Sequence, residues 1–429
     1  MSIFGSSGVR DIPDRRFLQL ALDLGLAVGG EYRSVIVGHD TRTTGDAVRS
    51  AFISGLLAAG ARACDAGILP TPVLAYATRN FDAGAMITAS HNPPEYNGIK
   101  LFNPDGSAFD GTQRAKIEEQ LLAGSLATAP WEEIHDLKQE PHCREDYMQR
   151  VLQDFPHRMK VKVVVDCGCG AASMVTPYLL QRVGCEVISL YCYPSGYFPR
   201  VIEPTVENLS TLIATVKAVG ADLGLAHDGD ADRLAVVDGK GDWVSGDKLL
   251  CLLALNCKAK KVVTTVDASL VIEELGMEVT RARVGDAFVS EALQRGGDFG
   301  GEPSGAYIFP EVSFCPDGVY AAAAVVALAS TGELSTRLER IPSYPVVRGS
   351  IPGEKGLMPG IAEKLARETS LSMSFEDGIR LAFADGWLLV RPSGTEPRIR
   401  VTAEARTKAR AQELYNLGVE AISACSSQL

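Results

Sequence analysis

A chain of 429 residues, 46% hydrophobic and 22% charged, has the profile of a globular protein long enough for roughly three domains. Its formal charge of −11 argues against a nucleic-acid-binding surface. The apolar runs "LLCLLAL" and "YAAAAVVALA" fall short of the roughly 20 residues that span a bilayer, and "MSIFGSSGVRD" has no apolar leader, so a cytoplasmic protein without membrane contact is expected.

"SVIVG" (34–38) predicts a buried strand, "TGDAVRSAFISGLLAAG" an amphipathic helix stopped by Gly60, and "AGAMI" (83–87) a further strand. In "TASHNPPEYNG", Pro93, Pro94, Asn97 and Gly98 force a loop before the returning strand "NGIKLF". Ser90 therefore sits where a strand ends, as active-site residues often do, and Lys100 lies on the returning strand. His91 adjoins Ser90, but neighbours on an extended segment point to opposite sides, and the segment is not a Gly-x-Ser-x-Gly elbow. A loop-structuring role is expected for His91.

The pattern recurs as a strand over 161–166, a helix over 171–183, a strand over 185–191, a helix near 206–219 and a strand over 221–226. It recurs again as strands over 261–266 and 277–284, with helices near 268–275 and through "AFVSEALQ". Such alternation implies mainly parallel α/β layers. The second unit carries "DGDADR", with Asp228, Asp230 and Asp232 at alternate positions. On an extended or gently curved backbone that spacing turns three carboxylates to one side, where they repel without a cation; oxygen ligands suit Mg²⁺ or Ca²⁺. An EF-hand is excluded, because its glycine position holds Arg233 and its glutamate position Gly239.

The third unit carries "GGEPSG", where Glu302 and Ser304 suit recognition of vicinal sugar hydroxyls. After "IPSYPVV" the pattern changes to antiparallel strands, with turns at Asp385-Gly386 and Ser393-Gly394, and a closing helix over 407–423: an α+β module. Its "RPSGTEPRIR" gathers Arg391, Ser393, Gly394, Thr395, Arg398 and Arg400 around one turn, an anion nest suited to phosphate. Most of the ten cysteines, such as Cys64, Cys185 and Cys251, fall in apolar runs and read as core residues, and nothing completes a metal site around Cys167-Gly-Cys169. A nucleophilic serine, a divalent cation, a phosphate cradle and a hydroxyl-reading loop point to phosphoryl transfer on a sugar phosphate.

Taken in order, "FGSSGVR", "TASHNPPEYNGIK", "DGDADR", "GGEPSG" and "RPSGTEPRIRV" resemble the motifs of the α-D-phosphohexomutases over nearly the whole chain. The resemblance implies three α/β domains with mixed sheets and a smaller α+β C-terminal domain around one central cleft. The corresponding segments are 1–141 with the phosphoserine loop, 142–243 with the metal loop, 244–343 with the sugar loop and 344–429 with the phosphate loop. It implies a phosphoserine at Ser90 and Mg²⁺ held by Ser90, Asp228, Asp230 and Asp232. Glu302 and Ser304 would contact the sugar, while Arg391, Ser393, Gly394, Thr395 and Arg400 would hold the non-reacting phosphate. Arg10 and Lys100 would flank the phosphoserine, with Lys100 as general acid/base if burial and Arg10 lower its pKa. Arg42, His91 and Arg233 fall at supporting positions.

Two positions depart from the family pattern. Ala306 stands where many members carry a histidine, and His39 replaces an arginine in an early motif. "TASHNPPEYNGIKLFN" with "GEPSG" looks most like the archaeal phosphoglucosamine mutase group, implying glucosamine 6-phosphate as substrate and a sugar 1,6-bisphosphate as primer. Glucose and mannose phosphates are rivals. A serine- and metal-dependent sugar phosphatase and a non-catalytic phosphosugar binder are the readings from other classes. A monomer or homodimer is expected.

Overall fold

Alternating apolar strands and amphipathic helices build three layered units, and a purely antiparallel sheet closes the chain. The computed structural model describes residues 3–5, 8–124, 126–155, 158–393 and 397–426. The first sheet holds β1 (Val9–Asp11), β2 (Ser34–His39), β3 (Arg62–Ile68), β4 (Ala83–Ile87), β5 (Asn97–Phe102) and β6 (Lys138–Gln139), in the order β1-β5-β4-β2-β3-β6. The second holds β7 (Lys162–Asp166), β8 (Glu186–Leu190), β9 (Leu223–His227), β10 (Leu234–Asp238) and β11 (Trp243–Val244), in the order β11-β10-β9-β7-β8. The third holds β12 (Lys261–Thr265), β13 (Glu278–Ala282), β14 (Phe299–Gly301) and β15 (Tyr307–Ile308), in the order β13-β12-β14-β15.

All three sheets are mixed, and for one shared reason. Parallel pairs form where a helix connects the strands, as β2 with β3 and β4, β7 with β8 and β9, and β12 with β13 and β14. The next strand in each unit returns directly through a short loop, and a short loop can join only antiparallel neighbours. The hairpins β4–β5, β9–β10 and β14–β15 are the result, and each tip carries one of the motif loops.

Two expected helices differ. The segment 171–183 is a 3₁₀ turn (Ala171–Met174) followed by a helix (Thr176–Arg182); Pro177, lacking an N–H, can sit only in the first turn of the second piece. Near 268–275 only Val271–Glu274 is helical. The helices Arg15–Glu31 and Gly45–Ala58 cross backbone to backbone, since a Cβ at Gly25 would lie 2.1 Å from the Phe52 carbonyl oxygen.

One apolar core runs through all three units, from Ile36, Leu74 and Met86 to Val163 and Leu225 and on to Leu253, Phe299 and Val325. Smaller cores fill the outer faces of the three sheets. The fourth sheet, β16 (Val346–Pro352), β17 (Ser372–Ser374), β18 (Ile379–Phe383), β19 (Gly386–Pro392) and β20 (Arg398–Ala405), is ordered β16-β20-β19-β18-β17 and backed by the helix Lys408–Ser426. It has a core of its own. It meets the third unit through Val266, Trp387 and Leu389, and through Glu404, which accepts from Leu270 N at 2.9 Å and Ser269 Oγ at 3.1 Å. Among the described residues no helix is long and apolar enough to cross a membrane.

Candidate active site

β4 is buried along its length and delivers Thr88 to the sheet end, where the Thr88 hydroxyl donates to Asp40 at 2.7 Å and accepts the Ser90 N–H at 2.9 Å. Ser90 is buried and holds a left-handed backbone, φ 51°, a conformation that costs a non-glycine residue free energy and that clusters at functional sites. Its hydroxyl donates to Asp228 Oδ2 at 2.8 Å and lies 3.2 Å from His91 Nδ1. The expectation that His91 points away from Ser90 is therefore wrong: it presumed an extended segment, and the turn at Ser90 brings the ring back. Burial, then Arg233, Arg10 and Lys100, lower the His91 pKa to about 3, so the ring is neutral.

Arg42 holds this loop from beneath. Its guanidinium donates to the carbonyls of Ser90 (2.8 Å), Asn92 (2.7 Å), Pro93 (2.6 Å) and Tyr96 (2.9 Å), and its Nε to Asp40 at 3.1 Å. All five donors are spent within the fold. Arg10, on β1, donates to Asn92 Oδ1 at 3.3 Å from the other side of the loop.

The aspartate loop joins β9 to β10. The buried His227 fastens its two ends, its Nδ1 lying 2.9 Å from the Arg233 carbonyl and its Nε2 3.2 Å from Thr176 Oγ1; burial lowers its pKa to about 4. The carboxylates do converge, through a turn tighter than the extended or gently curved backbone expected, with Ala231 at φ 60°. One oxygen from each of Asp228, Asp230 and Asp232 lies within 4.8 Å of the others, all three side chains buried. Asp230 Oδ2 accepts from Thr71 Oγ1 at 2.7 Å and Lys100 Nζ at 2.8 Å, and Asp232 Oδ2 accepts from Lys100 at 2.5 Å. Burial and the neighbouring aspartates push Asp228 well above the usual carboxylate range and raise Asp232, whereas Lys100 and Thr71 overcome burial to hold Asp230 below it. The buried Asp230 Oδ1 has no hydrogen-bond partner. Three crowded carboxylates with an orphaned hard oxygen fit a divalent cation of the Mg²⁺ or Ca²⁺ type.

Lys100 departs from expectation. Burial lowers its pKa, as anticipated, but Asp230 and Asp232 outweigh burial and Arg10 and raise it above the ordinary value. The ammonium is held protonated.

The sugar loop closes between β14 and β15, with Glu302 N donating to the Ala306 carbonyl at 2.8 Å. It is fastened to the aspartate loop by Leu234 N donating to Gly305 O at 2.9 Å, so close that a Cβ at Gly305 (φ 96°) would meet Leu234 O at 2.7 Å. Arg233 reaches Glu203 at 3.1 Å. Glu302 is buried; its Oε2 accepts from Ser304 Oγ at 3.3 Å, and its Oε1 has no partner. Burial, then the charge of Asp286 against the pull of Arg233, raises its pKa to about 8.

In the fourth sheet Arg391 faces Arg400 directly across β19 and β20, an arrangement of like charges that is unfavourable until an anion joins it. Arg391 Nη1 donates to Asp377 at 2.8 Å, and the buried Ser393 Oγ has no partner. Arg398, counted in the nest from sequence, is instead tied to Ser350 through Oγ (2.8 Å) and the carbonyl (2.7 Å). Gly394 and Thr395 lie outside the described residues. Among the described residues no hydrogen bond or ion pair links Arg391, Ser393 or Arg400 to Ser90, the aspartates or Glu302. Asp377 also accepts from Val284 N at 3.3 Å, which ties the fourth sheet to the third unit.

Sequence reasoning missed Thr71, whose N–H and hydroxyl both bond the aspartate loop, and Asp286, which lines a small, largely apolar pocket with Lys100 and Asp232. The signal for Asp286 was available: "RVGD" ends a strand with glycine and a carboxylate, as the other loops do.

The chain matches the alpha/beta/alpha domains I, II and III of phosphoglucomutase/phosphomannomutase over residues 1–127, 145–241 and 245–344, and the C-terminal domain over 353–416. A protein from Methanocella arvoryzae named probable phosphoglucosamine mutase is 45% identical over 435 residues, covering 99% of each chain. One of the same name from Methanococcoides burtonii is 45% identical over 95% of this chain and 96% of its own. The crystal structure of a phosphoglucomutase/phosphomannomutase family protein from Burkholderia thailandensis matches at TM-score 0.89 and 28% identity, covering 99% of this chain and 98% of that one. The chain thus belongs to the phosphoglucomutase/phosphomannomutase family of α-D-phosphohexomutases, isomerases acting on hexose phosphates.

Proposed function

We propose that the protein interconverts hexose 6-phosphate and hexose 1-phosphate through a phosphoserine at Ser90 and a bisphosphorylated sugar, with glucosamine 6-phosphate as the preferred substrate. The observation that carries this reading is the Ser90 hydroxyl, held on a strained backbone 2.8 Å from Asp228 at the rim of the aspartate triad. The names of the archaeal relatives support the glucosamine preference.

In the first half-reaction the bond from Ser90 Oγ to phosphorus breaks as a sugar hydroxyl oxygen bonds to phosphorus. The hydroxyl loses a proton and the serine oxygen gains one. Lys100, protonated between Asp230 and Asp232, would serve as the donor to the serine side. Asp228, Asp230 and Asp232 would hold Mg²⁺, which when bound neutralises charge on phosphoryl oxygens. Arg10 flanks the loop that carries the phosphoserine. Glu302 and Ser304 contact sugar hydroxyls, and Arg391, Ser393, Gly394, Thr395 and Arg400 hold the phosphate that is not reacting. The bisphosphate then turns end for end, and Ser90 takes back a phosphoryl group from the other oxygen.

The test is isomerisation of glucosamine, glucose and mannose 6-phosphates, primed with glucose 1,6-bisphosphate, together with peptide mapping of Ser90. Phosphate is expected on Ser90, and Ser90→Ala should lose nearly all turnover while binding substrate. Full activity in Ser90→Ala would overturn the covalent route, and stoichiometric release of inorganic phosphate would favour a phosphatase.

A further inference from the structure

The Cys167-Gly-Cys169 segment has no task in the phosphoryl chemistry, yet the fold gives one of its thiols a partner 25 positions away. Cys167 follows β7 and Cys192 follows β8, strands that pair in parallel as far as Asp166 and Leu190. Cys167 N donates to Leu190 O at 3.2 Å and Cys169 N to Tyr191 O at 2.8 Å, so the two chains continue side by side beyond the sheet. This sets Cys192 Sγ 3.3 Å from Cys167 Sγ, both residues being free thiols. A disulfide needs about 2.0 Å between its sulfurs, so little more than about 1 Å of approach separates this pair from a bond. Among the described residues the two thiols gather no third ligand for a metal.

The thiols differ in the way a reactive pair requires. Cys167 is fully buried, whereas Cys192 is partly exposed on the loop after β8. The Cys167 thiol, bonding the Cys192 sulfur, is the largest influence lowering the Cys192 pKa, and it outweighs burial. Burial raises Cys167 well above the ordinary value. Cys192 is therefore the attacking sulfur and Cys167 the resolving one.

Their surroundings reach the active site. Ala171 N donates to Gly229 O at 2.9 Å, and a Cβ at Gly170 would lie 2.7 Å from that same oxygen of the aspartate loop. On the other side, Ser195 N (3.0 Å) and Thr41 Oγ1 (2.9 Å) both donate to Cys169 O, and a Cβ at Gly196 would lie 2.6 Å from Thr43 N. The cysteine segment is thus wedged between the aspartate loop and the residues flanking Arg42, with no slack to absorb a movement.

We propose that Cys192 and Cys167 form a reversible disulfide with a peroxide as oxidant, and that closing it lowers turnover by displacing the segment that supports the aspartate loop. The Cys192 sulfur attacks one peroxide oxygen and the O–O bond breaks, giving a sulfenic acid and one water. The Cys167 sulfur then bonds to Cys192, and the departing hydroxide takes the Cys167 proton as a second water. The thiols lose two electrons and two protons, and the peroxide is reduced to water. A dithiol reverses the step.

The test treats the folded protein with hydrogen peroxide and follows non-reducing peptide mapping together with isomerisation of hexose 6-phosphate. A peptide joining Cys167 to Cys192 is expected, lighter than its reduced parts by the two lost hydrogens. Turnover should fall at least about tenfold, the scale of a slightly misplaced catalytic group, and dithiothreitol should restore it. Cys192→Ser and Cys192→Ala should keep turnover and lose both the link and the peroxide response. Cys257→Ser, at the exposed cysteine of the third unit, should behave as the wild type does. The linked peptide is read in the wild type, so it tests the pair whatever the variants do. Oxidation of Cys192 without a link to Cys167, a peroxide response that survives in Cys192→Ser, or a link that leaves turnover unchanged would overturn the inference.

Discussion

Replacing Arg42 with lysine separates two roles that an arginine beside a phosphate-handling loop can have. In the structure its guanidinium makes five hydrogen bonds, four to the carbonyls of Ser90, Asn92, Pro93 and Tyr96 and one to Asp40. A lysine ammonium keeps the charge but offers three donors from a single atom. At least two acceptors are left without a partner, each costing about 1 kcal/mol or more, so the loop should lose about 2 kcal/mol of local stability. That corresponds to roughly thirtyfold faster amide hydrogen exchange wherever exchange occurs by local opening. The reporting amides are Asn92 N, bonded to Ala89 O at 3.0 Å, and Tyr96 N, bonded to Pro93 O at 3.1 Å. Turnover should fall by at least tenfold because Ser90 loses its fixed backbone, with KM little changed. If exchange in this loop is unaltered and KM rises instead, Arg42 grips substrate phosphate and its assignment as a fastening is wrong.

Asp230→Asn removes one anionic ligand at nearly constant shape, so turnover should fall at least tenfold, about 1.4 kcal/mol of barrier, with little change in melting temperature; turnover unaffected by chelators would contradict this. Asp317, buried under Tyr147 and at the start of the helix Gly318–Ser330, has its pKa raised by burial from the ordinary 3.8 to about 6. The folded state thus binds its proton more tightly than the unfolded chain does. The stabilisation is complete below about pH 4 and lost as pH rises through about 6, a change of about 3 kcal/mol. Asp317→Asn keeps the helix cap and cannot titrate, so its stability relative to wild type should rise between pH 4 and 7 in denaturant titrations. A constant difference across that range would refute the assignment.

The motif loops were legible because each interrupts buried, β-forming runs with residues that such runs do not tolerate. Three aspartates after "LGLA" or a serine after "AGAMI" require a chemical explanation. Conformation was harder to read. Nothing in "ASHN" marks Ser90 as left-handed, since no glycine stands there, and the wrong direction assigned to His91 followed from that. Long-range pairing was harder still. The Thr71–Asp230 bond spans 159 positions, and the charge state of Lys100 depends on two aspartates that only the packed fold brings beside it. The family resemblance marked Arg42 as a supporting position, but nothing in the sequence told what it supports. Its five internal acceptors are backbone and carboxylate oxygens with no sequence signature. The break at Pro177 was readable, but the apolar periodicity around it concealed it.

Unequal division of the apolar cores bears on how the molecule withstands heat. The first three units share one continuous interior, so they melt as one body, whereas the last sheet has its own core and leans on the rest through Val266, Trp387, Leu389 and the Glu404 hydrogen bonds. Such a joint parts before either interior does. Warming then disables the catalyst while most of its secondary structure is intact, and cooling restores it without refolding. A circular-dichroism melt would miss that first event. A fluorescence melt would show it, because Trp387 sits in the joint, 1% exposed, and meets water as soon as the joint opens.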